Sequence, residues 1–577
     1  MHDLATLRAG GYCDAGLTKL KLTEPLDSFP PEIFDASLAA TLEILDLSGT
    51  GLSALPDDLG ARLPRLRIAF FSGCKFKRFP SALAGCPRLE MVAFRKNGME
   101  GFEGDTLDDV ALPPQLRWLI LTDNSLTHIP SSIGRCARLE KCMLAGNCLT
   151  GLPDAMANCR NLTLLRLAAN KLTALPMWLL TMPRLAFLSF AGNPCSASSP
   201  TKTNAAAARS SSTASSLPHV DWNQIEIHHV LGEGASGIIS KGTIRSNEGN
   251  TSSNNSRGPS STLNSRGPSG FNTPSLSGTS TPALSVSGAS VFSTSSSLSA
   301  LSAVSAVSAV SSMSTPTSTR HALPLSPSTP VAVKIFRGAL TSDGTPYDEM
   351  AACLAAGQHV NLVQVHGQIR WGEDADEAGN EGASTSSTPP AFRGGLIMEL
   401  IPPQYRVLGQ PPSFDSCTRD CFDTDAATGS KKLPVSAALA ILSGVASAAA
   451  HLHARGIAHG DLYAHNILVA RGGSGTGKED KDTTHAILSD FGAATLYGSG
   501  NSQGESEVND LAGLEKLEVL AFAHLVEDVL GLMSEDGSSS VRHGLLRLHA
   551  RCVVPAVTDR PVFSTLVEEL AAVQAAA

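Results

Sequence analysis

The sequence predicts an α/β solenoid followed by a second, α+β domain, and three observations predict it. A leucine frame recurs at a period of about 23 residues between Leu17 and Asn193. A Ser/Thr/Ala-rich stretch with no apolar period follows, after which alternating apolar strands return at Trp222. Beyond that point glycines, one lysine and several carboxylates are spaced among strands and helices in a fixed order. The 577 residues suffice for several domains, each with its own core.

The repeated frame reads L-x-x-L-x-L-x-x-N-x-L-x-x-L-P. It is clearest at Leu116-Leu119-Leu121-Asn124-Leu126-Ile129-Pro130 and returns from Leu139 to Pro153 and from Leu162 to Pro176. Earlier copies start at Leu42, Leu66 and Leu89, a truncated one at Leu185, and a divergent first one at Leu17. The alternating L-x-L core is a short strand, and the Asn can satisfy backbone groups where the chain bends away. No single repeat buries its leucines, so stacking must do so, which yields a curved solenoid with a parallel sheet on its concave side. The frame resembles that of leucine-rich repeats, and we place this domain at residues 1–195.

The concave face takes the residues two and four positions after each starting leucine. Ile44, Ile68, Phe70, Met91, Trp118, Ile120, Met143, Leu164 and Phe187 stand there. Such a row predicts a docking face, either for a protein partner or for this chain's own C-terminal domain. Scattered surface hydrophobes are the plain alternative.

Composition narrows the function classes. A net charge of −9 gives no polyanion-binding footprint. The first residues are too polar for a secretory signal, so a cytoplasmic (or nuclear) location is expected. Residues 435–450 are apolar but Ala-rich and short for a bilayer, which fits a buried helix better than a span. Of twelve cysteines, Cys86, Cys136 and Cys159 each precede a frame leucine by three residues. That regularity marks small core residues, and no pair of CxxC elements suggests a metal.

Residues 196–220 read as a linker, and residues 221–573 as the second domain. Its first strand leads into Gly232-Glu-Gly234-Ala-Ser-Gly237-Ile-Ile239, glycines between two strands rather than before a helix. Residues 246–328 or thereabouts are Ser/Gly/Thr/Pro-rich and nearly uncharged, too poor in apolar surface to fold. Inserting such a loop costs roughly 2–3 kcal/mol, which a domain tolerates. Several Thr-Pro and Ser-Pro steps in it suit proline-directed phosphorylation, with featureless filler as the alternative. Val331-Ala-Val-Lys334 follows, then Glu349 on a predicted helix, then the apolar run Gly395 to Ile401. Gly472 to Lys478 has P-loop spacing, but Glu479 stands where a hydroxyl must hold Mg²⁺, so this is a loop insertion.

Two runs complete the pattern: His459-Gly-Asp461-Leu-Tyr463-Ala-His465-Asn466, and Ser489-Asp490-Phe491-Gly492. With the preceding motifs they resemble the protein-kinase signature set in its usual order. The resemblance implies a bilobal protein-kinase-like domain that uses ATP and Mg²⁺ to phosphorylate a protein hydroxyl, with a serine/threonine acceptor. It implies phosphate contacts from Gly232, Gly234, Gly237 and Lys334, and a lysine partner in Glu349. Ile239, Met398, Glu399 and Ile401 would surround the base. Asp461 would be the catalytic base, with Asn466 and Asp490 as metal ligands.

Four departures qualify it. Gly460 replaces the arginine that grips a phosphorylated activation loop. Tyr463 replaces the lysine that neutralises the transferring phosphoryl group, leaving His465, fractionally charged near neutral pH, as the nearest cation. No Ala-Pro-Glu closes the short segment before Glu518, which aligns with the acid of the central helix. Arg560 lacks its usual glutamate and would turn to Glu505, to Glu507 or to no acid. Two readings follow: an active kinase whose repeats recruit a partner or substrate, or a catalytically weak scaffold whose repeats bind proteins.

Overall fold

The computed structural model describes residues 2–12, 16–104, 111–196, 217–234, 236–245, 329–337, 340–371, 394–422, 432–471, 484–497, 505–534 and 539–576. The Ser-rich insert, the P-loop-like string, most of the linker and the side chains of Glu505 and Glu507 lie outside the described residues.

The solenoid carries one three-residue strand per repeat: β1 (Lys19–Lys21), β2 (Ile44–Asp46), β3 (Ile68–Phe70), β4 (Met91–Ala93), β5 (Trp118–Ile120), β6 (Lys141–Met143), β7 (Leu164–Arg166) and β8 (Phe187–Ser189). They form one parallel sheet in chain order. The register keeps equivalent positions abreast, with Leu119 opposite Cys142 and Cys142 opposite Leu165. The middle residue of each strand points inward, and Leu45, Ala69, Val92, Leu119, Cys142 and Leu165 are wholly buried.

The frame asparagines tie successive turns together. The Asn147 amide donates to Leu121 O and Leu144 O, while its oxygen accepts from Leu126 N at 3.1 Å. Asn170 and Asn193 repeat this pattern one and two turns later. Each side chain thereby satisfies backbone groups that the bend would otherwise bury unpaired. Cys86, Cys136 and Cys159 are buried, and desolvation pushes their thiols up to about 11, 12 and 11.

The second part opens with a six-stranded sheet. Its strands are β9 (His219–Asp221), β10 (Ile225–Gly234), β11 (Gly237–Ile244), β12 (Pro330–Phe336), β13 (Val365–Arg370) and β14 (Gly395–Glu399), ordered β9-β13-β14-β12-β11-β10. One helix, α1 (Pro346–Ala356), accompanies it, capped by the Thr345 hydroxyl on Asp348 N with Pro346 in the first turn. The rest is mainly helical: α2 (Val435–His453), α3 (Glu505–Leu532), α4 (Ser539–Cys552) and α5 (Phe563–Ala575). A small sheet of β15 (Arg406–Val407), β16 (Ile467–Arg471) and β17 (Thr484–Leu488) lies beside them. Among the described residues α2 alone is long and apolar enough to cross a membrane, but Leu439, Ile441, Leu442, Val445 and Leu452 are buried in the core.

The apolar concave row is not open. Met143, Leu164 and Phe187 belong to the same buried cluster as Leu462, Tyr463 and Phe491. Ile68, Met91 and Trp118 cluster with Phe414 and Cys417, and the Trp118 indole N–H donates to the Cys417 sulfur. Of the two occupants expected for this face, the structure places the chain's own C-terminal part there. Arg560 contacts the solenoid as well: its guanidinium donates to Val554 O, Lys516 O and Pro183 O. Three backbone carbonyls thus receive the guanidinium, and burial lowers the arginine to about 10.

Candidate active site

Strand and helix propensity set the first half of the site. Lys334 lies on β12 between Ile239 on β11 and Leu396 on β14. Its ammonium forms an ion pair with Glu349 of α1, and both are buried. Burial alone would lower Lys334, but the Glu349 and Asp490 carboxylates hold it above its ordinary value. A small, largely apolar cavity adjoins the pair, lined in part by Ile239, Cys353, Met398, Asp490 and Phe491. Gly232 and Gly234 end β10, and Gly237 pairs with Gly234 across the hairpin. Gly237 has φ +158 and a Cβ there would lie 2.2 Å from Ile335 O, so glycine is required by close approach. Glu399 closes β14, and Ile401 follows two residues later.

The second half is the 459–466 loop, held from behind by Glu518 of α3. The Glu518 carboxylate accepts from His459 N at 3.2 Å, Gly460 N at 2.6 Å and His453 Nε2 at 2.7 Å. Burial pushes this carboxyl up, and these donors with the neighbouring histidines bring it below its ordinary value. Burial chiefly lowers His459 below its ordinary value; its Nε2–H donates to Ser489 O at 3.0 Å and its Nδ1 accepts from Asp461 N. That histidine therefore links the Asp461 loop to the Asp490 turn.

Asp461 is almost out of solvent, and both carboxylate oxygens are engaged. Oδ2 accepts from Asn466 Nδ2 at 2.9 Å, and Oδ1 accepts from Arg166 Nη2 at 2.6 Å. Burial raises this carboxyl, but Arg166, then His465 and His459, bring it below the carboxylate range. Asp490 takes a left-handed backbone at φ +62, and burial with the Glu349 charge raises it to about 6. Asn466 Oδ1 is buried without a hydrogen-bond partner. A buried acceptor on a side chain that also holds the Asp461 carboxylate suits a hard cation, so the chemistry of Asn466, with the carboxylate of Asp490, fits the metal role.

Gly460 has a structural cause. Its φ is +73, and a Cβ would stand 2.6 Å from Ala493 O and 2.9 Å from Leu188 O of the solenoid. An arginine cannot occupy that position in this fold. Gly460→Ala should destabilise the protein by about 1–2 kcal/mol from the left-handed backbone alone, with the clashes adding to it. Urea unfolding of the full chain checks this; an unchanged midpoint would refute the close approach.

Three site residues escaped the sequence reading. Arg166 sits at the end of β7, where adjacent repeats have Met143 and Ser189. A cation four residues after the starting leucine, where Phe70, Ile120 and Met143 stand in earlier repeats, was the signal available for it. Asp420 accepts from His465 N at 3.1 Å and pairs with His465 Nδ1 at 2.6 Å. Burial lowers His465 but the Asp420 contact outweighs it, so the ring is raised above its ordinary value. Lys141 stacks over Trp118 at 4.3 Å, and burial lowers it to about 8.

Two known families match parts of the chain. The leucine-rich-repeat family matches residues 114–194, and the lipopolysaccharide kinase (Kdo/WaaP) family matches residues 421–524. The chain therefore joins leucine-rich repeats to a kinase-like domain. No curated protein matches it. Among solved structures, a leucine-rich-repeat protein of Leptospira interrogans is similar at 25% identity and a TM-score of 0.25, over 31% of this chain and 49% of that one. The chain thus spans about half the length of that protein.

Proposed function

We propose that the chain is an ATP-dependent protein kinase acting on a serine or threonine hydroxyl. The observation that carries this reading is the buried Lys334–Glu349 pair, set beside Asp490 and joined through His459 to the Asp461 loop. A buried lysine held charged is suited to bind nucleotide phosphates, and the glycine hairpin can cover them. Met398, Glu399 and Ile401 would border the base. Asn466 and Asp490 would hold Mg²⁺, which when bound neutralises charge on the phosphates. Asp461, kept ionised and oriented by Asn466, would accept the proton of the attacking hydroxyl. The repeats supply the protein-binding part.

A sugar hydroxyl is the second reading for the acceptor, favoured by the lipopolysaccharide kinase match over residues 421–524. Dephosphorylated casein and lipopolysaccharide, offered side by side with Mg²⁺-ATP, separate the two. In either case Asp461→Asn should lower phosphate transfer by about 10²-fold, the lower end of the range for a general base. The lower end applies because phosphoryl transfer relies mostly on positioning and charge. ATP binding without turnover in both proteins would leave a non-catalytic scaffold instead.

A further inference from the structure

We propose that the solenoid is an autoinhibitory lid on the chain's own acceptor site, closed by Arg166 on Asp461 and by Phe187 on Tyr463. The proposal rests on the phosphotransfer reading for the role of Asp461. A general base must come within about 2.6–3.2 Å of the hydroxyl it deprotonates. Here one carboxylate oxygen is held by Asn466, the other by Arg166, and the side chain is only 12% exposed. The Phe187 ring lies flat on Tyr463 at 3.9 Å, two residues beyond the base. A macromolecular acceptor has no path to Asp461 while those contacts stand.

The arginine is placed for the C-terminal part rather than for its own repeat. Among the described residues its guanidinium donates to Asp343 Oδ1 at 2.9 Å, Gly460 O at 2.8 Å and Asp461 Oδ1, none of them in the solenoid. The loop it touches is built to receive the solenoid, since Gly460 makes room for Leu188 O. Ser189 Oγ donates to Asp343 O, and Phe190 N donates to Thr495 Oγ1, so the grip extends to the loop before α1 and to the segment after Asp490.

The closure is one-sided. The Lys334–Glu349 pair is made, and among the described residues the lining of the adjoining cavity includes none from the solenoid. The nucleotide side is therefore assembled while the acceptor side is covered. A buried ion pair of this kind fixes register more than it adds stability, because desolvation offsets much of the attraction. That suits a contact meant to open. Any ligand that binds the concave face better than the chain's own catalytic loop does would shift the equilibrium towards the open form.

The test uses the full chain, Mg²⁺-ATP and dephosphorylated casein, with Arg166→Met and Phe187→Ala made separately so that misfolding of one does not decide the matter. Both variants should raise the initial rate by about 5–150-fold, the span of typical coupling between sites, with KM for ATP unchanged. Deuterium uptake over residues 459–466 should rise in parallel. A fall in rate in both variants would overturn the proposal and make Arg166 a supplier of the positive charge that Tyr463 lacks. Unchanged rates and unchanged uptake would overturn it too. If no protein turns over ATP, the phosphotransfer reading fails instead, and the uptake alone decides whether the solenoid is a lid.

Discussion

Glu518→Ala should cost about 3–5 kcal/mol, the penalty for breaking a buried charged network by removing one member. In a kinase-like domain of this size that lowers Tm by roughly 6–20 °C. Two buried backbone N–H groups, of His459 and Gly460, lose their acceptor together with His453 Nε2. Each orphaned donor carries its own desolvation cost of about 1–3 kcal/mol. The pH dependence separates this from a packing defect. The folded carboxyl lies below the ordinary glutamate value of 4.5, so its contribution is fully present above that pH. It is lost as pH falls through the depressed folded value. The Tm gap between wild type and variant should hold from neutral pH down to about 4.5 and narrow below it. A gap that stays constant into acid would mean that volume, not charge, was lost.

How much of this was legible in the sequence depended on the range of the interaction. The leucine frame is local, and each copy landed with its strand two to four residues after the starting leucine. The asparagine ladder was legible too, because the turn creates the backbone groups that the Asn side chain must satisfy. Lys334 and Glu349 are 15 positions apart, and a glycine hairpin, a strand and a capped helix bring them together by local rules. Arg166 and Asp461 are 295 positions apart, and no propensity or period links them. A charge on a solenoid strand reads as solvated surface until its partner surface is known. Phe414 and Cys417 on Trp118, and Asp420 on His465, belong to the same class. The departures at Gly460 and Tyr463 were legible as departures but not explicable. Both are where the solenoid meets the catalytic loop, so their cause lay in a contact between distant parts of the chain.

Lys334→Met should lower kcat/KM for ATP by about 10³-fold, more than loss of the proton acceptor, because charge placement carries most of phosphoryl transfer. Three effects combine. The phosphates lose their nearest buried cation. Glu349 loses its ion-pair partner, and its Oε2 already has no hydrogen bond, so an unpaired carboxylate is left buried on α1. Asp490, which burial and the Glu349 charge push up and the Lys334 charge pulls down, loses that favourable cation. The nucleotide site should therefore fail as a unit, and calorimetry should show Mg²⁺-ATP binding weakened along with turnover. The double variant Lys334→Met/Glu349→Gln provides the internal check. If the two residues act through their mutual contact, the double change is less damaging than the product of the single ones. Strict multiplicativity, or unaltered ATP binding by Lys334→Met, would remove the pair from the nucleotide site and with it the main support for phosphotransfer.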